Sequence, residues 1–225
     1  MNIKKIKAVI FDMDGTILET LEDIRDSVNV TMDHMGCPRR SLEEVRTFVG
    51  NGAAKLIQRC MPGGAEDVRF SEALAFYMDY YDAHARIKTG PYPGVPELLA
   101  SLKGRGVGIA VVSNKPDEAV RQLAEYYFPG LFPVAIGQRP GAAPKPAPDA
   151  VFEAMRLLGA APETTVYVGD SDVDLATARN AGLQCIAVTW GFRSEAFLRE
   201  HGAEQLAHSA GELWEILSGA EEAGK

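Results

Sequence analysis

The chain has 225 residues, enough to bury a full hydrophobic core in one large domain or in a domain with a smaller insert. It carries 31 acidic and 23 basic residues with the basic ones scattered, which excludes the concentrated positive surface of a nucleic-acid-binding protein. Three cysteines without metal-site spacing, and the lack of a long apolar run, predict a cytoplasmic protein with reduced thiols and without a signal peptide or membrane span.

The first predicted element is a short apolar strand, residues 8–11, that stops at two acidic residues. Asp12 and Asp14 stand one residue apart at its carboxyl end, where their charges would repel unless a hard divalent cation such as Mg²⁺ lay between them. Gly15 and Thr16 follow with exposed amides and a hydroxyl that suit phosphate oxygens. Taken alone, the stretch is also consistent with an ordinary polar turn after a strand.

From residue 17 to residue 91 the spacing of apolar residues predicts helices only. Gly36 is placed as the stop of the first helix, and Ser41 with Glu44 forms a capping-box pattern at the start of the second. The glycine- and proline-rich segment 89–94 then marks the return of the chain from a helical insert. The four helices are expected at about 21–35, 41–48, 53–60 and 70–81.

After residue 95, short apolar runs alternate with amphipathic helical patterns. This alternation predicts an α/β fold, a Rossmann-like doubly wound parallel sheet covered by helices on both faces. The expected domains are an α/β core of residues 1–16 and 92–225 and a small all-helical cap domain of residues 17–91. The further strands are expected at 107–112, 134–137, 166–168 and 185–188. Asp172 is expected to cap the helix that follows the third of these strands.

Acidic residues at two strand ends have the chemistry of phosphoryl transfer. Asp12 is the candidate nucleophile, whose attack on phosphorus would form an aspartyl-phosphate. Asp14 can protonate the leaving oxygen and later activate water. Asp170, at the end of another strand, adds a carboxylate with which a metal could bridge the nucleophile and the phosphate.

Donor groups follow the other strands. Ser113 offers a hydroxyl and Lys145 a positive charge, the two kinds of donor that stabilise a transferring phosphoryl group, and Asp174 is placed to hold the Lys145 ammonium. Each group alone has a simpler interpretation, since Ser113 and Asn114 suit a helix N-cap and Lys145 an ordinary loop lysine. Their joint occurrence at successive strand ends favours the catalytic interpretation.

Four segments resemble, in order and spacing, the four motifs of the haloacid dehalogenase superfamily over essentially the whole chain. They are Asp12-Met13-Asp14-Gly15-Thr16, Ser113-Asn114, Lys145-Pro146-Ala147-Pro148 and Gly169-Asp170-Ser171-Asp172-Val173-Asp174. The resemblance implies that Asp12 is the nucleophile and Asp14 the acid/base. It also implies Mg²⁺ held by the Asp12 carboxylate, the Asp14 backbone carbonyl and Asp170. The presence of Asp14 favours phosphatase or phosphomutase chemistry over dehalogenation.

The helical insert resembles the alpha-helical cap of this superfamily, which closes over the site and selects the substrate. Within it, Phe48-Val49-Gly50-Asn51-Gly52 with Arg46 is similar to the cap loop of phosphoglycolate phosphatases. The resemblance implies that Gly50 and Asn51 approach the substrate and that Arg46 meets a carboxylate. Residues 17–20 depart from the usual pattern of that group, and Lys55 leaves open a Schiff-base role, although a solvated lysine is the simpler interpretation.

The function expected from these residues is a magnesium-dependent phosphatase of a small phosphomonoester, with 2-phosphoglycolate as the first candidate. Asp12, Asp14, Ser113 and Lys145 are the expected catalytic residues, and Gly15, Thr16 and Asn114 complete the substrate contacts. The alternatives are a pyrophosphatase or nucleotidase, a beta-phosphoglucomutase-like phosphomutase, and a catalytically silent binding protein. The expected partner is a small phosphorylated metabolite, with no nucleic acid or membrane, and the expected state is a monomer or homodimer.

Overall fold

A parallel six-stranded sheet dominates the computed structural model, which describes residues 6–219. The strands in chain order are β1 (Ala8–Phe11), β2 (Leu18–Glu19), β3 (Gly90–Pro91), β4 (Gly108–Pro116), β5 (Val134–Gln138), β6 (Thr165–Gly169), β7 (Gln184–Val188) and β8 (Gln205–Ala207). The large sheet has the order β5-β4-β1-β6-β7-β8, which confirms the predicted α/β fold class. Residues 1–5 and 220–225 lie outside the described residues. The predicted lack of a signal peptide and the two ends of the predicted core domain fall on these residues.

Strand β1 lies at the centre of the sheet, between β4 and β6. Its four residues are at most 1 % exposed, because helices cover both faces of a parallel sheet. Phe11 pairs with Val111 of β4 and Val168 of β6, so Asp12 emerges beside the carboxyl ends of both neighbours. The sheet therefore gathers the polar strand ends at one edge, where ligands bind in open α/β sheets.

Ten α-helices complete the described part of the chain. They are α1 (Leu21–His34), α2 (Leu42–Phe48), α3 (Ala53–Cys60), α4 (Phe70–His84), α5 (Val95–Gly104), α6 (Asp117–Tyr127), α7 (Asp149–Leu158), α8 (Asp172–Asn180), α9 (Glu195–Glu200) and α10 (Ala210–Ser218). The capping box of Ser41 and Glu44 at the start of α2 is present as predicted. None of these helices is both long and apolar enough to cross a membrane.

Helices α1 to α4 pack against one another, and the short strands β2 and β3 lie directly before and after them in the chain. These two strands form an antiparallel ribbon, in which Leu18 pairs with Pro91 and Glu19 with Gly90. Asp23 of α1 fastens the return segment, since its carboxylate accepts from the backbone N–H groups of Ile87, Lys88 and Thr89. We call residues 17–91 the insert and the rest the core, and this division remains a prediction.

Three details differ from the sequence prediction. Strand β4 continues past 112 to Pro116, and the sheet gains the edge strand β8 after the last predicted strand. Helix α8 has its N-cap at Ser171 rather than at Asp172. The reason is a reciprocal capping box, in which the Ser171 hydroxyl accepts from the Asp174 backbone and the Asp174 carboxylate accepts from the Ser171 backbone N–H.

Candidate active site

A tight turn after β1 separates the two aspartates. The backbone N–H groups of Thr16, Ile17 and Leu18 all donate to the carbonyl of Met13. Gly15 has φ 88°, and a Cβ there would lie 2.3 Å from Oδ2 of Asp170, so only glycine fits. The turn directs Asp12 toward the core and Asp14 toward the insert.

Asp12 is buried in contact with Lys145, whose Nζ donates to its Oδ1 at 2.7 Å. Burial raises the pKa of Asp12 to about 7, although the Lys145 charge acts in the opposite direction. Burial, followed by the charges of Asp174 and Asp12, also raises the pKa of Asp170 well above its usual range. These buried carboxylates need more positive charge than one lysine supplies.

Lys145 lies at the centre of a buried network. Besides Asp12, its Nζ donates to Oδ1 of Asp174 at 2.8 Å, the Tyr167 hydroxyl at 2.9 Å and the Val112 carbonyl at 3.2 Å. Burial opposes its charge, but the Asp12 and Asp174 carboxylates hold the pKa of Lys145 well above its usual value. The ammonium is therefore fixed, charged and directed at Asp12. Sequence reasoning missed Tyr167, whose only signal was a tyrosine inside a buried strand.

Ser113 and Asn114 lie near the end of β4 and both line the same cavity as Asp12. The Asn114 side chain accepts from the Lys145 backbone N–H at 2.8 Å and donates to the carbonyls of Lys145 and Gly50, each at 3.0 Å. Its amide thus orients the Lys145 loop and bonds to the insert. Its predicted contact with substrate remains a prediction.

Three carboxylates, those of Asp12, Asp170 and Asp174, offer oxygen atoms within 4.8 Å of one another. Both carboxylate oxygens of Asp174 already accept hydrogen bonds, from Lys145, the Tyr167 hydroxyl and the Ser171 hydroxyl. Asp12 and Asp170 remain as ligands, and buried carboxylate oxygens with raised pKa values fit a hard divalent cation. The Asp14 carboxylate lies outside this cluster, while the resemblance assigns its backbone carbonyl to the metal.

Asp14 lies in a different environment, shared with the insert. Its Oδ1 accepts from the Thr20 hydroxyl at 2.7 Å and from Nζ of Lys115 at 2.8 Å, and its Oδ2 is 3.0 Å from the same Nζ. The Lys115 ammonium also lies 4.5 Å from the ring centroid of Tyr81, on helix α4 of the insert. The sequence places Lys115 directly after Ser113 and Asn114 at the end of β4, but it suggested no role for this lysine.

A cavity of about 410 Å³ separates the core from the insert above these side chains. Its floor is polar and comes from the strand ends, and the insert covers it with mostly apolar residues. The floor includes Asp12, Asp14, Ser113, Asn114, Lys115, Lys145 and Asp170, and the cover includes Ile24, Val49, Gly50, Leu56, Tyr77 and Tyr81, together with the acidic residues Asp79 and Asp82. Such an enclosed polar floor suits a compact anion.

Several predicted substrate contacts lie elsewhere. Arg46 and Asn51 line a second cavity of about 600 Å³, where Nε of Arg46 is 3.3 Å from Glu43. Lys55 is exposed and donates to Gln58 at 3.0 Å. The structure therefore brings Gly50, but not Arg46, Asn51 or Lys55, to the cavity above Asp12.

The loop after β7, which contains Trp190 and Phe192, borders the site. The Trp190 indole N–H donates to the Thr16 carbonyl at 3.0 Å, and the Phe192 backbone N–H donates to Oδ2 of Asp170 at 2.6 Å. The hydroxyl of Thr16 lies 3.4 Å from Oδ1 of Asp170. Thr16 and Gly15 thus pack against Asp170. An aromatic-Gly-aromatic sequence after a strand was the only signal for this loop.

Arg193 in the same loop connects the core to the insert. Its guanidinium donates to the carbonyls of Arg46 at 2.6 Å and Val49 at 2.8 Å, at the end of helix α2. A cation at these carbonyls also complements the negative end of the helix. The contact holds the segment before Gly50 over the cavity.

The chain matches known proteins over most of its length. The family model of haloacid dehalogenase-like hydrolases matches residues 9–188. A phosphoglycolate phosphatase of Pseudomonas putida is 36% identical over 192 residues, covering 83% of this chain and 70% of the relative. One of Chromobacterium violaceum is 31% identical over 224 residues, covering 96% and 99%. A crystal structure of a candidate phosphoglycolate phosphatase from Lactobacillus delbrueckii has a TM-score of 0.90 at 38% identity, covering 95% of this chain and 98% of that one.

Proposed function

The chain belongs to the haloacid dehalogenase-like hydrolase family, and we propose that it is a phosphatase that cleaves a small phosphomonoester, with 2-phosphoglycolate as the first candidate. The observation that carries this proposal is the buried Asp12 carboxylate in contact with Lys145 at 2.7 Å. Asp14 lies on the same turn, and all three residues line one cavity. A nucleophile, a proton donor and a fixed cation therefore face the same enclosed volume.

In the first step, an Asp12 carboxylate oxygen attacks phosphorus and the ester P–O bond breaks. The bonding electrons leave with the ester oxygen, which takes a proton from the Asp14 carboxyl group. Lys145 and the Ser113 hydroxyl stabilise the negative charge on the transferring phosphoryl oxygens. The products of this step are the free alcohol and an aspartyl-phosphate at Asp12.

In the second step, water attacks the aspartyl-phosphate and Asp14 takes up its proton. The P–O bond to Asp12 breaks, which restores the Asp12 carboxylate and releases inorganic phosphate. The buried Asp174 and Tyr167 side chains accept hydrogen bonds from the Lys145 ammonium, which keeps it beside Asp12 in both steps. The insert limits water entry by covering the cavity.

Phosphatases of this family use a divalent metal, and Asp12 and Asp170 provide a suitable buried carboxylate pair. We propose Mg²⁺, which would neutralise negative charge between the nucleophile and the incoming phosphate when bound. Hydrogen bonds also orient these carboxylates, since Asp170 accepts from the Phe192 backbone N–H and Asp12 accepts from Lys145. A cytoplasmic location and a monomeric or homodimeric state remain predictions from the sequence.

The size of the cavity and the names of the relatives both support a small substrate. The cavity volume of about 410 Å³ lies at the low end of the range for small-molecule pockets, about 300–1,000 Å³. Relatives at 36% and 31% identity are phosphoglycolate phosphatases. The relevant test is to measure phosphate release, with and without Mg²⁺, from 2-phosphoglycolate, pyrophosphate, nucleoside monophosphates and hexose phosphates.

We expect the highest kcat/KM for 2-phosphoglycolate and no turnover after the metal is chelated. A higher kcat/KM for pyrophosphate or a nucleotide would contradict the proposed substrate while retaining the phosphatase chemistry. Transfer of the phosphoryl group to a hexose phosphate without phosphate release would instead identify a phosphomutase. Lack of turnover on the entire panel and on a generic aryl phosphate would contradict the enzyme itself.

A further inference from the structure

Three basic side chains line the cavity within the described residues: those of Lys145, Arg193 and Lys115. Lys145 is committed to Asp12, Asp174, Tyr167 and the Val112 carbonyl. Arg193 is committed to backbone carbonyls at the end of helix α2. Lys115 differs from both, since its hydrogen-bond partner is the Asp14 carboxylate, which the proposed reaction itself requires.

Lys115 is buried at the junction of core and insert. Its Nζ contacts both carboxylate oxygens of Asp14, at 2.8 and 3.0 Å, and lies over the Tyr81 ring. Thr20 separately donates to Oδ1 of Asp14 at 2.7 Å. Asp14 would therefore keep one partner if Lys115 turned to another anion. The ammonium itself has donors to share, because an –NH₃⁺ group has three.

The Tyr81 hydroxyl is a second polar group of this region and, unlike Lys115, it has no hydrogen-bond partner within the described residues. It is buried, forms no hydrogen bond within residues 6–219, and belongs to a residue that lines the same cavity as Lys115. A buried hydroxyl without a partner costs free energy, and a polar ligand beside it would recover that cost. Helix α4 also brings Asp79 and Asp82 to this cavity, so Lys115 and the Tyr81 hydroxyl are placed to bind an anion among mostly apolar and acidic neighbours.

We propose that Lys115 binds the carboxylate of the substrate, which makes it the specificity-determining residue for a phosphorylated acid. This inference rests on the proposed function. Asp14 must reach the ester oxygen to protonate it, and in 2-phosphoglycolate the carboxylate carbon is only two bonds from that oxygen. An ammonium that already contacts Asp14 is therefore within reach of the carboxylate. When the substrate binds, the Lys115 ammonium leaves the Asp14 carboxylate and contacts the substrate carboxylate. Asp14 keeps its hydrogen bond from Thr20 and turns to the ester oxygen.

Arg46 is the rival for this role, because the resemblance to phosphoglycolate phosphatases implied that it meets the carboxylate. Its guanidinium lies instead beside Glu43, in the cavity that Asp12 does not line. The two assignments therefore differ in which side chain, Lys115 or Arg46, binds the substrate carboxylate. Arg46→Met is the matched control for Lys115→Met, since each change replaces a cation with an uncharged, flexible side chain.

The test compares 2-phosphoglycolate with ethyl phosphate, which has a methyl group in place of the carboxylate. The readout is the ratio of kcat/KM for the two esters, in which any general effect on Asp14 cancels. We expect Lys115→Met to lower this ratio about 50-fold, the loss typical of a charge-assisted hydrogen bond. Arg46→Met is expected to leave the ratio unchanged, and Tyr81→Phe to lower it about fivefold.

Each result has a distinct meaning. A wild-type enzyme that does not prefer 2-phosphoglycolate over ethyl phosphate overturns the proposed substrate, and the inference with it. A wild-type preference that survives Lys115→Met overturns the inference alone, and loss of the preference in Arg46→Met assigns the role to Arg46. If Lys115→Met does not fold, Lys115→Gln retains a polar group beside Asp14, and the same ratio decides.

Discussion

Asp12 and Asp14 stand on one turn but belong to two different regions of the molecule. Asp12 is surrounded by the core, with Lys145 and Asp170 supplied by loops after strands of the sheet and Asp174 by the first turn of helix α8. Asp14 is bound by Thr20, at the start of the insert, and by Lys115, which lies against Tyr81 of the insert. The difference indicates that the rigid sheet holds the nucleophile, whereas the proton donor is positioned where the insert meets the substrate.

The largest effect on activity is expected from a change at Asp12, in the core. Asp12→Asn removes the nucleophile while keeping the size of the side chain, so we expect kcat to fall by a factor of about 10⁴ or more. Phosphate release measures the loss, and an unchanged circular dichroism spectrum shows that the fold is intact. Mg²⁺-dependent turnover within about tenfold of the wild type would rule out Asp12 as the nucleophile.

Lys145→Met should lower activity on every substrate alike, by about 10³-fold, because Lys145 faces the phosphoryl group common to all of them. It also leaves Asp12 and Asp174 as buried carboxylates without their cation. We expect the free energy of unfolding to fall by about 3–5 kcal/mol, as for other broken buried ion pairs. Urea unfolding with and without Mg²⁺ measures it, and a smaller loss with Mg²⁺ would support a metal beside Asp12.

Arg193→Met tests the connection between the two regions. The change removes the hydrogen bonds to the Arg46 and Val49 carbonyls that hold the insert over the cavity. We expect KM for the preferred substrate to rise about tenfold with kcat little changed, because the loosened cover binds the substrate less tightly but takes no part in the chemical step. A fall in kcat at constant KM would show instead that Arg193 acts in the chemical step.

The smallest effect is expected from Thr20→Val, which keeps the shape of the side chain and removes its hydrogen bond to Asp14. Asp14 then depends on Lys115 alone, so kcat should fall about fivefold. The double variant with Lys115→Met should lose more than the product of the two single losses, because both residues hold the same carboxylate and neither can then replace the other. A double variant whose loss equals the product of the two single losses would contradict this coupling.

The sequence predicted which strand ends come together in the candidate site, but not which side chains border it. The strand ends that carry Asp12, Ser113, Lys145 and Asp170 follow from apolar runs of the right length, and parallel strands bring such ends together. The fold class followed from the same alternation of strands and helices. Strand β8 was missed because its three residues, Gln205–Ala207, are too few to show a periodic pattern.

What the sequence did not predict depends on contacts between segments far apart in the chain. Lys115 meets Asp14 from 101 residues away, and Trp190 reaches Thr16 across 174 residues. Nothing local marks either pair, since side-chain direction is decided by how the insert and the loop after β7 pack. The same reason explains Arg46, whose position beside Gly50 in the sequence suggested a substrate contact that the structure does not bring into the Asp12 cavity.

The covalent intermediate tests the central claim most directly. The wild-type enzyme is mixed with excess substrate and Mg²⁺, quenched in the steady state and reduced with borohydride, which converts an aspartyl-phosphate to homoserine. Peptide mass spectrometry then locates the reduced residue. We predict homoserine at position 12 in a substrate-dependent amount and none in the Asp12→Asn variant. Homoserine at Asp14 or Asp170, or at no aspartate during active turnover, would contradict the assignment of Asp12 as the nucleophile.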